Sequence, residues 1–196
     1  MTTKNKILLG GLAAATAAVF SYYYYPYYFR YIQPQVAGVQ YDRSVKTEYG
    51  EPIKVLSAID GDTVELINGE RLRYVGIDTP EEFDKRKPVQ CFAHEAAQKN
   101  RQLVAGQSIK FYKDITAKDI YGRWLGFVYL EDGTFVNLEM VTQGYGFAYP
   151  YPPDFSKAEE FRQAEDYARV NKLGLWNGRC TVSKLSTGRK QTNPVE

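Results

Sequence analysis

Ile59 to Glu82 reads IDGDTVELINGERLRYVGIDTPEE. Apolar residues alternate with polar ones in two runs, Val64-Glu65-Leu66 and Leu72-Arg73-Tyr74-Val75, the period of a half-buried strand. Between them lies Asn68-Gly69, the strongest short-range signal for a tight hairpin. Two antiparallel strands joined there would carry Asp60 and Asp62 at one outer end and Asp78, Glu81 and Glu82 close by, with Arg73 aimed into the same neighbourhood. Hard oxygen ligands beside a guanidinium point to a divalent cation and a phosphate.

Working outward, Ile53–Ile59, Ser108–Lys113 and Trp124–Leu130 also read as strands, the last closed by the Asp132-Gly133 turn. His94–Val104, Thr134–Gln143 and Lys157–Asn171 read as helices, with Gly106 and Gly144 as stops. Phe161, Ala164, Tyr167, Ala168 and Leu173 mark the apolar side of the longest helix. About five strands in a row with helices interposed predict an α+β fold: a five-stranded antiparallel OB-type barrel with three helices packed outside. Lys85 to Lys87 form an expected exposed basic loop.

The 196 residues divide into four expected segments. Residues 1–30 combine Lys4 and Lys6, a charge-free run Ile7–Phe20 and a tyrosine-rich block at Tyr22–Phe29. That length favours an uncleaved membrane anchor, with a cleaved signal or a buried helix as the other readings. Residues 31–51 are expected to be a linker, 52–180 the barrel domain, and 181–196 a disordered tail of Ser, Thr, Gly, Lys and Pro. A formal charge of +2 is too small for a general polyanion coat, so any grip on nucleic acid must come from local arginines and aromatics. Two cysteines and one histidine exclude a zinc cluster. Cys91 and Cys180 are left as one disulfide or two free thiols.

Asp60-Gly61-Asp62-Thr63, Arg73 with Val75-Gly76-Ile77-Asp78-Thr79-Pro80-Glu81, Tyr121-Gly122-Arg123 and Gly174-Leu175-Trp176 together resemble the staphylococcal nuclease (thermonuclease) family, in order and spacing, over about residues 52 to 180. The resemblance implies calcium-dependent hydrolysis of DNA and RNA phosphodiesters with 3′-phosphate ends. It implies Asp62 and Asp78 as calcium carboxylates, Thr79 as a carbonyl ligand, and Asp60 one layer behind them. Glu81 matches the residue that activates or orients water, Arg73 and Arg123 the guanidiniums on the scissile phosphate, and Tyr121, Tyr149 and Tyr151 the aromatic positions of the nucleotide pocket. Base stacking tolerates any base, so low sequence specificity follows. The resemblance also pairs Cys91 with Cys180. The N-terminal segment predicts a nuclease domain held outside the cytoplasm by the anchor, or secreted if the segment is cleaved, and a monomer is expected. Ile120, where the family often has lysine, and Phe92-Ala93-His94-Glu95 depart from the pattern. The competing reading is a barrel that binds nucleic acid or a protein without cutting it.

Overall fold

The computed structural model describes residues 40–82, 88–153 and 156–195. Its contacts divide the chain at Tyr41, and the architecture below is that of Asp42–Glu196. The expected anchor and the basic loop at 85–87 lie outside the described residues, and among those described no helix is long and apolar enough to cross a membrane.

Five strands close a barrel in the order β1 (Ile53–Ala58), β2 (Thr63–Leu66), β3 (Arg71–Tyr74), β6 (Trp124–Leu130) and β5 (Ser108–Tyr112). β2 and β3 form the hairpin read from the sequence, with Val64 opposite Leu72. The Asn68 side chain accepts from the Glu70 amide, and Gly69 takes the positive φ that the turn requires. The barrel is mixed rather than antiparallel throughout, because β3 runs parallel to β6 with Arg73 opposite Leu125. A hydrophobic period constrains which face of a strand is buried and says nothing about direction, so patterning gave no support to the antiparallel pairing expected here. α1 (Ala93–Val104) lies between β3 and β5, which gives the chain room to return for a parallel pairing.

The apolar run read through Leu72-Arg73-Tyr74-Val75 breaks at Val75-Gly76, and Ile77–Asp78 forms a short β4 that pairs with β7 (Phe147–Ala148). Gly76 has φ +82°, and a Cβ there would fall 2.4 Å from the Phe161 ring. The break therefore needs glycine for both its backbone and its neighbour. Phe161 belongs to α3 (Ala158–Val170), which packs with α2 (Val136–Thr142) against the barrel. On α2, buried Asn137 accepts the Val128 amide at 2.9 Å and donates to the Val75 and Gly126 carbonyls at 2.9 and 3.0 Å. One amide thus joins β6, the β3–β4 break and the helix, with both its nitrogen and its oxygen satisfied in the core.

The expected linker is partly built into the barrel unit: the Asp42 amide donates to the Ile67 carbonyl at 2.9 Å, and Tyr49 packs its ring 5.0 Å from Phe111. The expected disordered tail is also ordered where described. Val182–Lys184 (β8) pairs antiparallel with Lys190–Thr192 (β9), after the short 3₁₀ turn at Gly174–Trp176. Its strands are three residues long and polar, so no hydrophobic period announced them. They are held instead by the Cys91–Cys180 disulfide, by the Cys91 amide donating to Asn193 O at 2.7 Å, and by the Thr192 hydroxyl donating to Cys91 O at 2.7 Å. Phe92, Phe147 and Leu175 pack around Cys180 as a small second core.

Candidate active site

The acid end of the barrel is built from two turns. After β1 the chain turns through Asp60-Gly61-Asp62, where the Asp62 amide donates to Asp60 Oδ1 at 3.0 Å, the local turn that Asp favours. A Cβ on Gly61 would lie 2.7 Å from the Thr79 hydroxyl oxygen, so glycine lets this turn sit directly against the second one. The Thr79 amide in return donates to Asp62 Oδ2 at 3.2 Å. From the far side, buried Asn100 of α1 donates to the Asp60 carbonyl at 2.7 Å and accepts the Tyr74 hydroxyl at 2.8 Å, which ties the turn to β3.

Asp62 and Asp78 are 6% and 2% exposed and face each other across one guanidinium. Arg73 Nη2 lies 3.2 Å from Asp62 Oδ2 and 3.1 Å from Asp78 Oδ1, while its Nη1 donates to the carbonyls of Tyr74 and Ile77. Burial and the Asp62 charge push the Asp78 carboxyl up to about 6, and the same two causes push the Asp60 carboxyl up to about 7. Arg73 feels the reverse: burial opposes its charge, yet Asp62 and Asp78 hold it above its ordinary value. Carboxylate oxygens gathered this way are the donors a hard cation takes. The donor chemistry of Asp62, Asp78 and the Thr79 carbonyl therefore suits calcium. Among the described residues no group of three or more His, Cys, Asp or Glu side chains is gathered as a ready cation cage.

Arg123 lines the same cavity as Arg73. Its Nε donates to Asp119 Oδ2 at 2.8 Å and its amide to Asp119 Oδ1 at 3.0 Å, and the Tyr121 amide donates to the same Oδ1. Asp119 thus fixes the Tyr121-Gly122-Arg123 turn that enters β6. The Arg123 guanidinium sits 5.6 Å from the centre of the Tyr121 ring. Arg73, Arg123, Tyr121, Tyr149 and Tyr151 line one cavity of about 470 Å³, which Gly76 and Ile77 also line. The Tyr149 amide donates to Gly76 O at 2.8 Å, so the aromatic wall is tied to the same break that turns the chain toward Asp78.

Glu81 is partly exposed beyond the acids, and its backbone is pinned to Gln90 in both directions, at 3.2 and 3.0 Å. The candidate residues thus form a connected set: Arg73 joins the carboxylates to the cavity, and Glu81 stands beside Arg189. Sequence reasoning missed Arg189, which reaches Asp78 from the C-terminal hairpin, and the supporting roles of Asp119 and Asn100. Asp119 had a signal, an acid four residues before Arg123; the polar segment around Arg189 had none.

Comparison with known proteins agrees with this architecture. The Staphylococcal nuclease homologue family matches residues 71–178. A thermonuclease of Staphylococcus intermedius is 31% identical over 88% of this chain and 98% of its own length. A thermonuclease of Staphylococcus hyicus is 32% identical over 63% of this chain and 75% of its own. Endonuclease YncB of Bacillus subtilis is 35% identical over 61% of this chain and 59% of its own. With the family matched across more than half of the sequence, and a relative aligned along nearly its whole length, the chain belongs to the staphylococcal nuclease family.

Proposed function

We propose that this protein is a calcium-dependent endonuclease that hydrolyses phosphodiester bonds of DNA, RNA or both with little sequence specificity. The observation that carries the reading is Arg73: one guanidinium contacts Asp62 and Asp78 and also lines the cavity shared with Arg123 and three tyrosines. A phosphate in that cavity would meet two guanidiniums, with carboxylates suited to a divalent cation beside them. The relatives are described as thermonucleases and an endonuclease, which supports the same chemistry.

Asp62, Asp78 and the Thr79 carbonyl would hold the calcium ion, which when bound supplies positive charge beside the phosphate. Glu81 orients a water and accepts its proton as the water oxygen bonds to phosphorus. The bond from phosphorus to the 5′ oxygen breaks, leaving a 3′-phosphate, and the departing oxygen takes a proton from solvent. Arg73 and Arg123 stabilise the charge that gathers on the phosphoryl oxygens in the transition state. Arg123 is better suited to electrostatic stabilisation than to proton donation, because a guanidinium does not give up its proton in a protein. Tyr121, Tyr149 and Tyr151 offer stacking faces that do not discriminate between bases. The Cys91–Cys180 bridge supports an extracytoplasmic setting, where disulfides persist, reached by export or by an anchor at residues 1–30.

The test follows single-stranded DNA hydrolysis by the purified full chain with calcium and with chelator. Calcium-dependent cleavage is expected. Cleavage unaffected by chelator would remove the metal role, and tight binding without cleavage would return the barrel to a binding module.

A further inference from the structure

The C-terminal hairpin inserts a second guanidinium, beside Arg73, into the acid end. Arg189 immediately precedes β9, at the end of the hairpin loop where the Leu185 amide donates to its carbonyl at 2.8 Å. Its Nε donates to Asp78 Oδ2 at 2.5 Å and its Nη2 to Asp78 Oδ1 at 2.9 Å, a two-pronged grip on both carboxylate oxygens. The same Nη2 lies 4.0 Å from Glu81 Oε2. The hairpin cannot drift freely from this position. Lys190 Nζ pairs with Glu165, whose other oxygen accepts the Ala148 amide of β7, the strand paired with β4. The disulfide and the Cys91–Asn193 backbone bond fix its base. The hairpin lies beyond the residues that the family matches.

Both oxygens of Asp78 are therefore committed to guanidinium nitrogens: Oδ1 to Arg73 and Arg189, Oδ2 to Arg189. Calcium binds carboxylate oxygens at about 2.3–2.6 Å and would bring two positive charges into the place the fork occupies. A guanidinium and a divalent cation on the same two oxygens repel each other at close range. We propose that Arg189 is a resident counter-cation of this site: it holds Asp78 in the metal-free protein, is given up when a divalent cation binds, and so sets the cation concentration at which the site fills. This rests on the calcium reading above.

The experiment measures calcium binding by calorimetry on the full chain, together with melting temperature in chelator and in saturating calcium, for wild type, Arg189→Gln and Lys184→Gln. Lys184 lies on the same hairpin and takes no part in the acid-end contacts described above, so its removal reports the effect of bulk charge alone. Arg189→Gln is expected to bind calcium about tenfold more tightly, the size of one charge-assisted contact removed from competition. It should also melt lower than wild type in chelator, where Asp78 keeps only one of its two guanidinium partners, and no lower in saturating calcium. Lys184→Gln should shift the dissociation constant by less than about twofold, as expected for a solvent-screened charge. An unchanged dissociation constant in Arg189→Gln, or equal tightening in Lys184→Gln, overturns the proposal. If Arg189→Gln does not fold, Arg189→Lys keeps the charge without the fork and should tighten binding by about threefold; no tightening there overturns it equally. If no protein in the series takes up calcium, the metal reading falls and the proposal with it, whereas wild-type affinity throughout overturns the proposal alone.

Discussion

The acid end and the aromatic wall of the same cleft are built in opposite ways. Asp62 and Asp78 are buried, and each is held by backbone or guanidinium donors. Tyr121 and Tyr151 are 78% and 65% exposed, and the rings of Tyr149 and Tyr151 meet only at a 32° tilt, with centroids 5.9 Å apart. A fixed set of charges suits a transition state, which has one geometry. A loose set of ring faces suits a ligand whose bases vary. Turnover should therefore depend on the first region and substrate affinity on the second.

The sharpest way to break that division is at Glu81 and Arg123. Glu81→Ala should lower kcat by about two to four orders of magnitude, the range for a positioned proton acceptor, while KM and the melting temperature change little. Arg123→Lys should lose about two to three orders of magnitude, because a point charge reproduces neither a two-pronged phosphate contact nor the pairing with Asp119. Near-normal turnover in either variant would take that residue out of the chemistry.

Next in size is the response of the acid end to pH in the absence of metal. Burial and Asp62 raise the folded-state value of Asp78 from 3.8 to about 6. Between roughly pH 4 and pH 6 the folded chain keeps a proton that the unfolded chain has released, so this group's contribution to stability is full below that window and is lost as pH rises through it. The loss should be about 1–3 kcal/mol. Thermal melts in chelator should show the decline, and Asp78→Asn should reduce it, leaving the share of Asp60, whose carboxyl the same two causes raise to about 7. Saturating calcium should reverse the slope, because a cation needs the ionised carboxylates. A slope unchanged by calcium would separate Asp78 from the metal.

The Cys91–Cys180 bridge, which anchors the hairpin beside the acid end, should contribute about 2–4 kcal/mol across its 89-residue separation. Paired Cys91→Ser and Cys180→Ser substitutions, read by denaturant unfolding, measure it. The smallest effect belongs to the wall. Tyr121→Ala or Tyr149→Ala should raise KM by about tenfold and leave kcat within about twofold, as the loss of one stacking face predicts. A fall in kcat with KM unchanged would erase the distinction between the two regions.

Much of the fold was legible because its signals are local. Asn68-Gly69 between alternating runs placed the hairpin, and Asp60, Asp62 and Asp78 fell at one end of it because they flank the strands in sequence. The three helices followed from spacing and glycine stops, to within about two residues at each end. Contacts made at long separation and without periodicity were not legible. In the sequence Asn137 is one polar residue within Thr134–Gln143, and only the packed barrel gives its amide three backbone partners. Arg189 meets Asp78 across 111 positions from a hairpin too short and too polar to show a strand period. The break after β3 was likewise hidden, since Val75-Gly76 continues an apolar run and only the Phe161 ring explains why the chain turns there.

The close fit of Phe161 over Gly76 also bears on how this sequence can vary. Every non-silent single-base substitution in a glycine codon introduces a side chain or ends translation, and any side chain here would collide with the ring. Arg73 and Asp78 lie three and two residues to either side, so the collision would separate the guanidinium from the carboxylate without altering a single charged group. Loss-of-function alleles should therefore collect at an uncharged residue with no role in the chemistry, and a smaller residue at position 161 should restore only part of the loss, because the positive φ still favours glycine.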